Sequence, residues 1–499
     1  MPAVKSYSGS NNYIFVSYAH KDSDQVVPII AYLQRRGYNV WFDEGINPGR
    51  DWAETLGARI ENCSCFLGFI SMRSILSKEC EKEIRQAIES KKSMVNVFLE
   101  PIDSSHGVAE ELLRIQGIEK FKIEDDSSFY LKLLEHGLFE PCRDTEEYQI
   151  IEDSLVRYNG SASSVVIPDN VTKIGYNAFE GNNELQWVYI PAGVDRIGKF
   201  AFSDTPALHE FSVAEDNGFF SSPDGILFNK GVHYLLCYPS ARQGESYNVP
   251  EGVTQIAMSA FSHANVLAHV SIPDSVFQIG DRAFEACRNL VEVEINAPLK
   301  KIRPYTFSRC ASLVSCNLPD SLEKLGDGAF SGCTSMTEIK LPASLRKIGE
   351  MGFAHCESLK EISVGQNVRY ISEYCFHECS SLVRADLSYA EAVRQYAFKN
   401  CESLETVVFS DNLALIGRAA FSGCASLESL SIPGSVETID DYAFDRCPKL
   451  KNVVFGDGVK RIGKGAFEDD VELKHIVLPS SIEEVHPQAF PEWTTITYA

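Results

Sequence analysis

No stretch of this chain is apolar for long enough to cross a bilayer, and its first residues, Met1 to Gly9, are polar and lack the hydrophobic run of a secretory leader. The expectation is a soluble, cytoplasmic protein with no membrane contact. Metal-binding patterns are missing too. The chain has no C-x-x-C pair and no histidine cluster at zinc spacing, and its 15 cysteines are odd in number. No metal site and no disulfide framework are expected, and the thiols read as reduced residues of a reducing compartment. Positive charge is in deficit: 46 Lys+Arg stand against 69 Asp+Glu, a net charge of −23. Residues 1–143 hold 17 against 21, or −4, which leaves −19 for the remainder. A surface that acidic repels nucleic acid and suits a basic or neutral protein partner.

Phenylalanine, by contrast, falls on a grid: Phe179, Phe202, Phe261, Phe284, Phe307, Phe330, Phe353, Phe376, Phe398, Phe421, Phe444, Phe467 and Phe490, with ten of the twelve intervals equal to 23 residues. A fixed period means one supersecondary unit stacked many times, each burying its neighbour's apolar face. Between Phe330 and Phe353 the unit reads as a strand over the alternation Ile339-x-Leu341, a stop at Pro342, and a turn at Gly349. Eight cysteines, at 287, 310, 333, 356, 379, 401, 424 and 447, follow a grid Phe by three and should form a buried ladder with rungs ~4.8 Å apart. The step from Phe202 to Phe261 is 59 residues, and two apolar runs around Asn229-Lys230-Gly231 predict a projecting β-hairpin at about 213–248.

The first 143 residues alternate strand and helix patterns. Tyr13 to Ser17, Asn39 to Phe42, Cys65 to Ile70 and Met94 to Leu99 read as buried strands. Asp24 to Arg36, a segment capped by Asp51, and Ser77 to Ser90 read as helices. Phe129 to Arg143, with Leu131, Leu133, Leu134 and Leu138 at helical spacing, should close the module. The fold class is α/β, a small parallel sheet covered on both faces, with functional groups past the carboxyl ends of the strands. A phosphoacceptor domain of this topology needs an Asp after the third strand, where this chain has Ile70-Ser71.

Two resemblances follow from these residues. The form I/L-P-x-x-L/V-x-x-I-G-x-x-A-F-x-x-C resembles the BspA-type leucine-rich repeats, over roughly residues 163–499. Phe15-Val-Ser-Tyr-Ala-His-Lys-Asp22, Trp41-Phe-Asp-Glu-Gly-Ile-Asn-Pro-Gly49 and Phe69-Ile-Ser…Ser77-Lys-Glu-Cys-Glu-Lys-Glu83-Ile84 resemble, in order, the three signatures of a Toll/interleukin-1 receptor (TIR) domain. The organisation implied is a flavodoxin-like TIR domain (1–143), a linker and cap (144–162), and a solenoid (163–499).

The TIR resemblance implies a NAD⁺-cleaving enzyme, with NAD⁺ as substrate and no cofactor. Glu83 matches the family's essential glutamate. A carboxylate beside the ribose stabilises the oxocarbenium-like centre left when neutral nicotinamide departs, and water or an adenine nitrogen of the same molecule then closes the reaction. The alternative for Glu83 is a solvated place in the charged run Glu79 to Arg85. Tyr18, Asp43, Trp52 and Ser77 are the substrate-binding candidates. Asp43 is equally suited to capping its loop and Tyr18 to packing it, while Trp52 suits packing under its loop and Ser77 a helix N-cap. The chain departs from the family at Glu79, where many active members carry an aromatic residue. The loop Gly45 to Arg50 is, by resemblance, a mobile element of TIR self-association. Three functions remain open: a sensor-effector whose repeats bind a protein ligand, a non-enzymatic TIR scaffold, and a host-directed effector.

Overall fold

All six residues from Cys65 to Ile70 are buried, which a strand achieves only when both faces of its sheet are covered. That strand is the centre of the N-terminal module in the computed structural model, which describes residues 4, 6–7, 12–43, 50–102, 108–115, 117–123, 126–135, 137–139, 142 and 147–499. The module runs β1 (Ile14–Ser17), α1 (Ser23–Arg35), β2 (Val40–Phe42), α2 (Arg50–Asn62), β3 (Cys65–Ile70), α3 (Met72–Ile75), α4 (Lys78–Glu89), β4 (Ser93–Phe98), α5 (Ala109–Leu113), β5 (Gly117–Glu119) and α6 (Asp126–Leu134). The strands are all parallel, in the order β2-β1-β3-β4-β5. This is the doubly wound, flavodoxin-like order, and its strand direction of travel reverses between β1 and β3. Alternate residues feed two cores. Val26, Ile30 and Leu33 of α1 pack with Ile14, Val16, Leu67 and Phe69 on one face, and Ile60 and Ile84 with Phe15, Phe66 and Ile70 on the other.

Two features depart from the sequence reading. The pattern gives no sign of α5 or β5; β5 tucks so closely beside β4 that a Cβ on Gly117 would lie 2.4 Å from the Phe98 ring. The closing helix ends at Leu134, short of the expected Arg143, because Gly137 adopts a left-handed φ of 60°. Leu138 is accordingly exposed, and Phe139 and Cys142 are buried instead, with Cys142 O accepting from Asn39 N–H at 2.8 Å.

The chain divides into two units, Met1–Ile151 with Leu155–Gly160, and Glu152–Ser154 with Ser161–Ala499. The second is the repeat array. Short parallel strands pair one repeat to the next, as Glu292 with Ser315 or Lys301 with Lys324, and the grid phenylalanines stack with ring centroids 4.6–5.5 Å apart from Phe261 to Phe490. Each ladder thiol donates to a phenylalanine carbonyl of the repeat before, as Cys356 Sγ to Phe330 O at 3.2 Å and Cys379 Sγ to Phe353 O at 3.1 Å. All 15 cysteines are free.

The turns of the repeat lie elsewhere than at its glycine. Gly349 is required by crowding, since a Cβ there would sit 2.5 Å from the Asp327 nitrogen. From Phe179 to Phe444 the left-handed residues are those two before and two after each grid Phe, such as Met351 and His355, or Tyr374 and Glu378. Tyr238 supplies the rung missing between Phe202 and Phe261. It lies 23 residues before Phe261, stacks on it at 5.0 Å, and its N–H donates to Ala260 O as that of Phe261 does to Ala283 O. The hairpin Leu227–Asn229 with Tyr234–Cys237 is therefore spliced into the ladder instead of standing off it, its second strand pairing in parallel with Gln255–Ile256.

The strand expected at Ile339–Leu341 does not form. Asn317, one repeat earlier, ties itself back to Ile295, accepting from its N–H at 2.8 Å and donating to its carbonyl at 3.2 Å. The strand Ser315–Cys316 stops there, and on this sheet of the array the next strand is Glu361–Ser363, while Lys324–Leu325 and Lys347–Ile348 still pair on the other. A groove of about 1120 Å³ opens across the gap, lined by the acids Glu292, Glu294, Asp320, Glu338, Glu361 and Asp386 with Lys340 and Arg384.

Candidate active site

Helix α4 begins where the Ser77 hydroxyl accepts from Cys80 N–H at 3.4 Å, with Glu79 and Glu81 in the first turn beside the helix's positive end. Its buried stripe is Cys80, Ile84 and Ala87. At helical spacing Glu83 belongs to that same stripe, so its carboxyl is carried against the sheet and the solvated alternative does not apply. There the Ser17 hydroxyl, at the carboxyl end of β1, donates to Glu83 Oε2 at 2.5 Å. Burial pushes the Glu83 carboxyl up to about 7; the Ser17 hydrogen bond opposes this, and the charges of Asp43 and Glu79 add to it.

The other candidates divide. Tyr18 and Asp43 sit at the ends of β1 and β2 beside Glu83: burial, and then the charge of Asp43, raises the Tyr18 hydroxyl, and His20 Nε2 lies 3.6 Å from Asp43 Oδ2. Ser77 is engaged as the N-cap of α4. Trp52 falls on α2, but its side chain lies outside the described residues, as does the loop from Gly45. Glu79 is exposed on the first turn of α4.

Sequence reasoning passed over four groups. Ser17 anchors the key carboxylate. Cys80 packs beneath it; burial pushes its thiol up to about 11, Glu83 adds to the shift, and the hydroxyls of Ser77 and Ser17 oppose it. Asp22, the last residue of the first motif, is buried and accepts from Ser71 Oγ at 2.6 Å and from Arg73 Nη1 at 2.9 Å, which stitches the end of β1 to the end of β3. Asn96 of β4 shares a cross-strand row with Gly68 and Ser17, and both polar atoms of its buried carboxamide lack a partner among the described residues. The helical stripe would have flagged Glu83 and Cys80 from sequence; the Ser17 and Asn96 row needed the strand register.

These groups converge past the carboxyl ends of β1 and β2, next to the point where the strand order reverses, the usual ligand crevice of such sheets. A half-buried carboxyl poised near neutrality, held by one hydroxyl and flanked by a second acid, is suited to receiving a cation.

The comparisons with known proteins agree with this architecture. Residues 14–134 match the family described as TIR domain, and residues 145–222, 237–327, 300–390 and 387–497 match the BspA type Leucine rich repeat region, in six copies. No curated protein matches the chain. Among solved structures, a leucine-rich repeat protein from Bacteroides ovatus is 24% identical, with 70% of this chain and 97% of that one covered at a TM-score of 0.51, which supports the solenoid fold. A leucine rich cell surface protein from Faecalibacterium prausnitzii is 23% identical over 70% of this chain and 94% of its own, with a TM-score of 0.42. The family matches take in more than half of the sequence, and the chain belongs to the BspA-type leucine-rich-repeat family, with a TIR domain ahead of its repeats.

Proposed function

We propose that the TIR domain cleaves NAD⁺ to nicotinamide and ADP-ribose or a cyclic ADP-ribose, and that the repeats are the recognition module that controls it. The observation that carries this reading is Glu83, a half-buried carboxyl at the carboxyl ends of the strands, held by Ser17. Unliganded, it shares its time between acid and carboxylate near pH 7. As the nicotinamide riboside enters, the Glu83 proton leaves to solvent and the positive charge of the pyridinium ring takes its place. When the C1′–N bond breaks, both bonding electrons leave with nicotinamide, and the Glu83 carboxylate faces the oxocarbenium-like carbon that remains. Ser17 fixes the carboxylate, Tyr18 and Asp43 border the same space, and water or an adenine nitrogen supplies the new bond to C1′, releasing a proton where water is used.

The repeat groove supports the recognition half of the proposal. Its six acids against two bases favour a basic segment of a protein ligand. In this reading the protein is a cytoplasmic sensor-effector in which ligand capture clusters TIR domains through self-association. The test is to incubate purified protein with NAD⁺, alone and with its chains forced together, while following nicotinamide release. Release that rises on clustering supports the proposal; none under either condition favours the non-enzymatic scaffold.

A further inference from the structure

A second set of chemically capable groups lies far along the array. His355 and Glu378 occupy equivalent places in adjacent repeats, two residues after Phe353 and Phe376, and both have a left-handed backbone with φ of 58° and 56°. That conformation throws successive side chains out from the same line on the solenoid. His377 precedes Glu378 and joins them. His355 Nδ1 lies 3.1 Å from Glu378 Oε2, and His377 Nε2 lies 3.3 Å from Glu378 Oε1. One ligand atom from each of the three falls within 4.8 Å of the others.

The backbone under this trio is already fixed. His355 N–H donates to His377 O at 2.7 Å, locking the two rungs together, and Glu378 N–H donates to Lys399 O at 2.9 Å. The same Lys399 carbonyl lies 3.2 Å from His377 Nδ1. A carbonyl can only accept, so the proton of the neutral ring sits on Nδ1 and the lone pair of Nε2 points toward the Glu378 carboxylate. A ring nitrogen whose partner N–H is held by a backbone carbonyl is the usual arrangement of a metal-binding histidine. Two lone pairs facing each other across 3.3 Å are relieved by a cation placed between them. His377 is mostly covered while His355 and Glu378 are each 44% exposed, so an ion could enter from solvent and keep an open position.

We propose that His355, His377 and Glu378 form a binding site for a divalent transition metal of the zinc class. Two imidazoles and one carboxylate suit Zn²⁺ and its neighbours better than Mg²⁺ or Ca²⁺, which prefer an all-oxygen set. Ideal bond lengths of about 2.0–2.2 Å require the ligand atoms to draw in by roughly an ångström, within reach of side-chain rotation on surface positions. The fourth position is left to water or to a side chain of a bound protein. The sequence hid this site because its ligands are one repeat apart, a spacing that only the stacked solenoid turns into adjacency.

The experiment titrates the reduced full-length chain with Co²⁺, whose visible spectrum reports its coordination and whose thiolate complexes carry an intense near-ultraviolet band. Saturable binding with a four- or five-coordinate visible spectrum, no thiolate band and displacement by Zn²⁺ is expected. His377→Gln, Glu378→Gln and His355→Asn should each weaken it at least about tenfold. Asn is chosen at 355 because Asn400 already holds the equivalent left-handed position, with φ of 60°. Absence of binding, a thiolate band, or native affinity retained in the three variants overturns the proposal.

Discussion

A carboxylate set into the buried stripe of an amphipathic helix lowers stability, because ionising it there means removing it from water. Glu83 holds such a place, and its raised pKa makes a signed prediction. In the proposed reaction the free protein needs the carboxylate form to receive a cationic substrate, so kcat/KM for NAD⁺ should rise with pH through about 7 and level off above it. Glu79→Gln removes a charge that raises this pKa and should move the rise to lower pH; Ser17→Ala removes the hydrogen bond that lowers it and should move the rise to higher pH. A pH–rate profile on the two variants checks both directions, and shifts of the same sign would contradict the assignment. The sequence showed Glu83 through its motif register and, had the period of α4 been followed, through its stripe with Cys80 and Ile84. Ser17 was invisible as its partner because the two are 66 residues apart and meet only once α4 docks on the sheet.

At the scale of the element, the repeat is a set of stacked rungs whose failures are as telling as its regularities. Phe353 is fully buried between Phe330 and Phe376, at 5.4 and 5.5 Å. Phe353→Ala should destabilise the array by ~3–5 kcal/mol through the cavity it leaves, read as a shift of the denaturation midpoint. Asp470 breaks the run, since it stands three residues after Phe467, where the eight repeats before it have cysteine. It accepts from Cys447 N–H at 2.8 Å, and burial pushes its carboxyl up to about 8. The folded chain therefore holds a proton that the unfolded chain releases near its ordinary 3.8, so this site loses stability as pH rises from about 4 to about 8. Asp470→Cys should raise the thermal midpoint at pH 8, with the gain shrinking toward pH 4; a gain independent of pH would reject the buried-acid explanation. The 23-residue period was plain from the phenylalanines, yet Tyr238 escaped because one hydroxyl took it off the pattern. The lost strand at Ile339–Leu341 escaped as well, because its alternation is intact in sequence and the tie of neighbouring Asn317 back to Ile295 forms only in the stacked array.

For the whole molecule, the sequence divides its labour in the open: a module of alternating strands and helices with one chemically loaded edge, then a long array that carries most of the negative charge. What it could not reveal is what stacking places side by side, the acidic groove beside the broken ladder and the histidine–glutamate trio. Among the described residues no helix is long and apolar enough to cross a membrane. In the proposed function the array supplies surface and the TIR domain supplies chemistry, and the proposal rests on whether that chemistry occurs at Glu83. The decisive measurement is the rate of NAD⁺ loss by clustered full-length protein for the native chain, Glu83→Gln and Glu81→Gln. Glu81 lies on the same helix and bonds to Arg85 at 2.9 Å, so it controls for a general loss of helix charge. The account predicts a fall of at least ~100-fold for Glu83→Gln, the scale of losing one well-placed electrostatic group, and a nearly unchanged rate for Glu81→Gln. Equal losses in the two variants, or no NAD⁺ consumption by the clustered native protein, would contradict it.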